Sequence, residues 1–405
     1  MRAVLAVGRK DAVPALNRNY SSFNDVYVIS SVSTVPNQQS AYNGDSSARS
    51  GGEVFMLLYQ RVASFFLVTL LSAATVLAQQ STPRTAPAAK LYLDVVVAPK
   101  SGAPVGDLQQ QDFTLLDNNA PQVITSFKAV TGREAPVEIV LVVDAVNTTY
   151  RTVSIARTDI GKFLRAEGGR LAYPIAVVIS TDKGIQGVSD FSSDGNALSA
   201  ALDQADVALR SNTRSTGVYG AGERLGVSLQ ALSQVAAKEA PRPGRKIILW
   251  VSPGWPLLSG PAVEIDAKQQ NQIFANLVSI TNQLLQARVT LYSVDPLGNG
   301  ESLSRGAYYK HFLKGISKPS QVQIGNLGLP VLAIQSGGLA LNFNNDVASL
   351  LQECLSDAAP YYEISFEPTP SDQRDEYHRL EIQIAKPGLT ARTRQGYYAQ
   401  PATHN

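Results

Sequence analysis

Val137-Glu-Ile-Val-Leu-Val-Val-Asp144-Ala-Val-Asn-Thr148 is the stretch on which the fold turns. Apolar residues run from Ile139 to Val143 and stop at an acid. A run with almost no polar face reads as a strand buried on both sides, as at the centre of a parallel sheet. A short polar turn follows, then a helix-like segment from about Ser154 to Ala166. An acid at the carboxyl end of such a strand sits where open α/β sheets place their ligand sites. The alternative, that Asp144 only caps its own turn, stays open at this point.

Outward from this strand, strand and helix signals alternate. Tyr173 to Ile179 reads as a strand with a hairpin-like return over Ile185–Phe191. Helical patterns cover about Gly195–Arg210 and Gly217–Ala240, the second stopped by Pro241 and Pro243. Lys246-Ile-Ile-Leu-Trp-Val251 and Val289-Thr-Leu-Tyr-Ser-Val294 are further buried strands. Between them, Ile273, Leu277, Ile280 and Leu284 carry helical spacing over Ala267–Ala287. A helix end at Pro330–Gln335, a short strand at Leu339–Phe343 and a helix over Asp346–Asp357 complete the pattern. Alternation of this kind predicts a doubly wound, mostly parallel α/β sheet over residues 135–357.

The flanks read differently. Leu91–Val97, Asp112–Leu116 and Gln122–Phe127 are strand-like, with turn chemistry between them. Tyr361–Phe366, Arg379–Ile384 and Ala391–Tyr398 alternate at period two. Strands 91–130 are too few to bury a core alone. The economical arrangement pairs them with the strands of 360–400, as one small antiparallel β domain into which the α/β domain is inserted.

Composition bounds the function. The chain has 405 residues, room for two or three domains, and 44% of them are hydrophobic, ample for a core. With 35 basic and 33 acidic residues the net charge is +2, and no nucleic-acid partner is expected. One cysteine, Cys354, excludes an intrachain disulfide framework and a Cys-based zinc site. The three histidines, His311, His378 and His404, show no ligand spacing.

Residues 56–78 have the order of a secretory signal: Arg61, an apolar run of about 16 residues from Val62 to Leu77, and small residues before a cleavage point after Ala78. Residues 79–90 read as a Pro/Ala linker. A signal should open a chain, and Gly51-Gly-Glu-Val-Phe55 can be encoded by a ribosome-binding sequence just ahead of Met56. Residues 1–55 are therefore expected to be a misassigned start or a disordered extension. The competing reading is an internal anchor, with membrane contact only through the signal segment if it is uncleaved. The expected location is periplasmic or extracellular.

Three pieces resemble the von Willebrand factor type A (vWA) fold and, more closely, a bacterial family of secreted VWFA-related proteins. They are Gly106–Asn119 with Gln122–Phe127, Ile139–Asp144 with Lys246–Gly254, and the tail pieces Ala358–Ile364, His378–Ile382 and Lys386–Ala399. Together they cover about residues 90–400. The resemblance implies a metal-ion-dependent adhesion site with a first loop Asp-x-Ser-x-Ser, a Thr from a second loop and an Asp from a third. Mg²⁺ suits such a site because it takes oxygen ligands in an octahedron and keeps a place for a partner's carboxylate. Here Asp144 and Thr148 match, Val146 lacks a side-chain oxygen, Thr216 stands for the second loop, and Pro253 replaces the third-loop acid. The metal set Asp144, Thr148 and Thr216 is thus expected to be degenerate, with no cofactor or only weak Mg²⁺ or Mn²⁺. Asp182, Asp190 and Asp295 near strand ends are reserve ligands by a non-family route.

Other candidates carry less. Ser252-Pro-Gly-Trp255 lacks the Gly-x-Ser-x-Gly pattern of a hydrolase nucleophile. Gly217, Gly220 and Gly222 follow no strand, so helix packing is expected there rather than a phosphate cradle. Trp250 is expected in the core, and Trp255 exposed at the ligand face. The doublets Tyr308-Tyr309, Tyr361-Tyr362 and Tyr397-Tyr398 are read as half-buried packing, and Cys354 as a buried small hydrophobe. The expected function is non-catalytic protein–protein recognition or adhesion, with Asp144, Ser252 and Trp255 meeting an unknown protein partner. The alternatives are a metal-free envelope structural or assembly module and a metal-assisted envelope hydrolase. Mass spectrometry of the native protein tests the start: no peptides from residues 1–55 are expected, and finding them sinks the Met56 reading.

Overall fold

The computed structural model describes residues 90–132, 137–205, 217–256, 264–298 and 307–401. The signal-like segment 56–78, the linker up to residue 89, and Thr216 lie outside the described residues.

The chain enters through four strands: β1 (Leu91–Pro99), β2 (Phe113–Asp117), β3 (Ala120–Gln122) and β4 (Ser126–Val130). The α/β part follows as β5 (Val137–Asp144), α1 (Tyr150–Arg165), β6 (Arg170–Thr181), β7 (Gly184–Gly187), β8 (Ser192–Asp194), α2 (Gly195–Gln204), α3 (Gly217–Glu239), β9 (Arg245–Val251), α4 (Ala267–Gln286), β10 (Val289–Val294), α5 (Leu329–Gln335), β11 (Ala340–Leu341) and α6 (Val347–Ser356). The tail supplies β12 (Tyr361–Phe366), β13 (Glu376–Ile384), β14 (Leu389–Arg392) and β15 (Gly396–Ala399).

The central sheet runs β11-β10-β9-β5-β6-β7, with β8 also on β6. β11, β10, β9, β5 and β6 are parallel; β7 and β8 return antiparallel to β6. Alternation along β5 explains the layers, because successive side chains point to opposite faces. Ile139, Leu141 and Val143 pack with Ile160 and Phe163 of α1, Leu198 of α2 and Leu350 of α6. Val140 and Val142 pack on the other face with Leu232 of α3, Leu277 of α4 and Leu332 of α5. Helices on both faces cover the middle of the sheet, and every residue of β9 and β10 is buried. This is the doubly wound, mostly parallel sheet that the sequence predicts.

Helix α1 begins at Tyr150, four residues before the expected Ser154. Thr149 is its N-cap, its hydroxyl accepting from the Thr152 amide at 3.3 Å. Helix α2 ends at Gln204, and an added Cβ on Gly222 of α3 would meet nothing within 4 Å. Close packing is therefore not the reason for that glycine.

Two antiparallel sheets flank the central one, β14-β1-β12-β4 and β15-β13-β2-β3, each combining strands from before and after the α/β part. They share one core, built on Leu93, Val95, Leu115, Tyr362, Ile364 and Leu380. The tyrosine doublets of the tail are fully buried rather than half-buried. Consecutive residues of a strand face opposite ways. Tyr361 accordingly enters the α1-side core while Tyr362 enters the flanking core, and Tyr398 enters the α3-side core while Tyr397 enters the flanking one. Arg288 adds a polar clamp to the same junction, donating to Asp94 of β1 and to Glu363 of β12.

All described residues fall in one compact unit, Thr85–Asn405. Among them no helix is long and apolar enough to cross a membrane.

Cys354 sits on α6 with no exposed surface, and burial pushes its thiol well above the ordinary range. Reaction with a thiol reagent needs the thiolate and access to it. Labelling of the native protein is expected to be negligible and to rise with denaturant in step with loss of circular dichroism. Fast stoichiometric labelling without denaturant contradicts this placement.

Candidate functional site

The site begins with Asp144, the last residue of β5. It lies between Ser180 of β6 and the β9 strand end, and only 1% of its surface is exposed. A buried carboxylate is costly unless its lone pairs are met. Here four N–H groups meet them. Oδ1 accepts the amides of Val146 at 2.7 Å and Asn147 at 3.0 Å. Oδ2 accepts the Asn147 side-chain amide at 2.8 Å and the Trp250 indole N–H at 3.1 Å. The Asn147 amide nitrogen also donates to Ser228 Oγ at 2.8 Å, which ties the loop to α3.

Register explains the tryptophan. Trp250 pairs with Val142 across β5 and β9, so it shares a sheet face with Asp144 and lies diagonally from it. Diagonal neighbours of this kind are within reach of a long aromatic side chain.

The chain leaving β9 turns at Gly254, whose φ of +100° suits a residue without Cβ. The turn folds Trp255 back onto Trp250, ring centroids 5.3 Å apart and planes at 82°. Trp255 was expected at the surface, yet it is only 3% exposed. The flanking glycine and proline suggested an open loop; the left-handed turn instead returns the indole to the sheet. Ser252, also buried, accepts the Gly254 amide at 3.2 Å.

Above these residues lies a cleft of about 620 Å³. Its walls come from the ends of four adjacent strands: Asn147 and Thr148 after β5, Ser252 to Pro256 after β9, Asp295 after β10, and Leu341 of β11. In chain order, β5 leads to β6 on one side, whereas β9 and then β10 extend the sheet on the other. The cleft therefore spans the point where strand order reverses, the usual ligand position in open α/β sheets. Tyr308, Tyr309 and Arg224 line it as well.

The predicted residues are only partly united. Thr148, Ser252 and Trp255 line the cleft, and Asp144 lies beneath it, saturated by its own loop. Thr216 lies outside the described residues. Of the reserve acids, Asp295 lines the cleft, while Asp182 and Asp190 are not among its lining residues. Among the described residues no group of three or more His, Cys, Asp or Glu side chains could hold a metal. Sequence reasoning expects Asp144 to accept backbone N–H groups of its own loop, as Val146 and Asn147 supply, or to bond Thr216 and Ser252; it missed the Asn147 side chain and Trp250. The signal for Asn147 was its spacing, three residues after an acid at a strand end. Trp250 needed the register of β5 with β9.

No protein-family model matches the chain, and none of the curated proteins does. Matches among solved structures are remote. The human COPII-coat protein Sec24c is 8% identical at a TM-score of 0.30, over 67% of this chain and 44% of that one. Manganese-loaded Plasmodium vivax TRAP protein is 11% identical at 0.30, over 66% of this chain and 96% of that one. The pilus adhesin SpaC from Lactobacillus rhamnosus GG, in its open conformation, is 10% identical at 0.33, over 80% of this chain and 42% of that one. The chain thus spans less than half the length of Sec24c and of SpaC. Likenesses at such scores carry no argument about what this chain does.

The hydrogen bonds around Asp144 predict a graded series in chemical denaturation. Trp250→Phe removes one donor and is expected to cost about 1–2 kcal/mol. Asp144→Ala strands four donors and is expected to cost at least about 3 kcal/mol. Equal, near-zero effects of both contradict the network.

Proposed function

We propose that this chain is a vWA-type recognition protein, exported and non-catalytic, that binds a protein partner through the loop face at the carboxyl ends of β5, β9 and β10 without a metal ion. One observation carries the metal-free part. Each oxygen of the Asp144 carboxylate already accepts two N–H donors. A divalent cation needs those lone pairs, and the N–H dipoles turn their positive ends toward the place it would take. The neighbouring ligand positions support the same reading: Val146 offers a buried aliphatic side chain, and Pro253 stands where the third-loop acid belongs.

The recognition part is supported by position. The cleft lies at the reversal of strand order and is walled by loops from four strands, where contact residues vary without disturbing the sheet. Asp144 is buried, so its role in this proposal is to hold the loop in shape, while half-exposed Thr148 and exposed Thr149 offer contact at the rim. The export part is supported by the order of residues 56–78 alone.

Two measurements on the full chain test the proposal. Calorimetric titration with Mg²⁺ and Mn²⁺ is expected to show no binding at millimolar concentration. Binding that is lost in Asp144→Asn overturns the metal-free reading. Crosslinking from intact cells is expected to capture a partner with the wild type and not with Thr149→Arg, whose thermal midpoint stays within a few degrees. Equal capture by both overturns the choice of face.

A further inference from the structure

We infer that the chain has a second binding face, on its flanking sheets, where an extended acidic segment of a partner protein adds as a strand beside the open half of β13. This face is separate from the strand ends around Asp144 and does not rest on the function proposed for them.

β13 is nine residues long, and its two neighbours each cover only part of it. β15 pairs with residues 376–379 and β2 with residues 380–384. Past Arg379, β13 therefore has a ladder partner on one side only, among the described residues. The last bond on the other side runs from the Leu380 N–H to the Gln395 carbonyl, 2.9 Å. In an antiparallel ladder both main-chain groups of a residue point to one side, and the side alternates along the strand. The N–H and C=O of Ile382 thus point to the side from which Gln395 departs. Continued by two residues, the register of β13 with β15 would set Thr393 opposite Ile382. The Thr393 hydroxyl instead donates to the Asp94 carbonyl of β1 at 3.0 Å.

This departure is built into the fold. Arg394 turns inward to the Val289 carbonyl at 3.2 Å, and Arg392 to Asp357 and to the Gly337 carbonyl. Gly337, at φ +95°, lets the main chain come close: a Cβ there would lie 2.8 Å from the Thr393 carbonyl carbon. The strand position beside Ile382 is left open. A cavity of about 570 Å³ lies there, between residues 380–382 of β13 and residues 391–395. A strand edge without a neighbour is a template for an added chain, which it binds by main-chain hydrogen bonds.

Charge selects the occupant. Residues 313–315 close the cavity on the side of the α/β part. They belong to a stretch, residues 307–345, that carries Lys310, Lys314 and Lys318, all exposed, and neither Asp nor Glu. Lys314 lines the cavity, as does Arg379. The one acid of the lining, Glu381, already pairs with Arg379 at 3.1 Å. A segment bearing carboxylates meets opposite charge at this rim, whereas a basic one meets like charge, and such complementarity sets the choice of partner.

Full-length protein, deuterated and ¹⁵N-labelled, is titrated with a heptapeptide of alternating valine and glutamate. Three controls are its lysine counterpart, the glutamate peptide N-methylated at every amide, and inorganic phosphate. The expected result is a saturable shift of the Ile382 amide with the glutamate peptide alone, weakening as salt is added. Lys314→Glu, at an exposed position, is expected to weaken that peptide about tenfold while its thermal midpoint stays within a few degrees. Thr149→Arg, on the other face, is expected to bind it as the wild type does. No saturable shift with the glutamate peptide overturns the inference. Equal binding of the N-methylated peptide overturns strand addition, and equal binding of the lysine peptide overturns the acidic partner. A shift with phosphate alone reduces the site to an adventitious ion only. Unchanged affinity in Lys314→Glu, or loss of binding in Thr149→Arg, overturns the placement.

Discussion

A buried carboxylate has to be met by donors, and at Asp144 this requirement shapes everything around the central strand end. Two backbone amides curl the loop after β5 around Oδ1. The Asn147 side chain then extends the loop to α3. The indole of Trp250 is pulled to Oδ2, and Trp255 stacks on that indole. One charge thus gathers the loop after β5, its tie to α3 and the paired indoles at the end of β9. The floor of the cleft is therefore preorganised before any ligand comes.

Polar groups at the sheet junctions follow the same logic. Asp357, just past α6, accepts from Tyr292 of β10 at 2.9 Å and from Arg392 of β14, while its carbonyl accepts from Arg245 of β9 at 2.6 Å. Asp117 of β2 accepts from Tyr397 of β15 at 2.7 Å and is 2.9 Å from the His378 ring nitrogen on β13. Each of these two buried acids meets partners on two different strands, as burial of charge demands. Such contacts select one arrangement of the sheets, because a slipped register leaves a charge unmet.

The central sheet was legible because its strands are apolar throughout, and such runs have few alternatives. The pairing of the flanks was legible as an economy of strands. What escaped is partly local backbone detail and partly contact between segments distant in sequence. The start of α1 was set by a threonine cap that an apolar-period reading passes over. The exposure of Trp255 was misread because one glycine, in a left-handed conformation, reverses the chain. The partners of Asp144 required the β5–β9 register, since Trp250 is 106 residues away. The loop sequence marked the end of β5 as a candidate site, and it could not tell that the Asn147 side chain and the Trp250 indole would meet the Asp144 carboxylate.

The paired tyrosines of the tail bear on the order in which the chain becomes protein. β12 contributes one wall to the α1-side core through Tyr361, and β15 contributes one to the α3-side core through Tyr398. Both strands leave the ribosome after the α/β part. β1, made before the α/β part, finds its ladder partners β12 and β14 only after it, and β2 has β3 beside it but gains its other partner, β13, only then. A nascent chain therefore holds β1 unpaired, and its central sheet incompletely walled, until the strands after the α/β part have emerged. Contacts of such long range make folding slow and leave strand edges open to other chains meanwhile. For a chain with this topology, the central sheet is made before its walls are, and whatever attends the chain meanwhile has the open edges of β1 to guard.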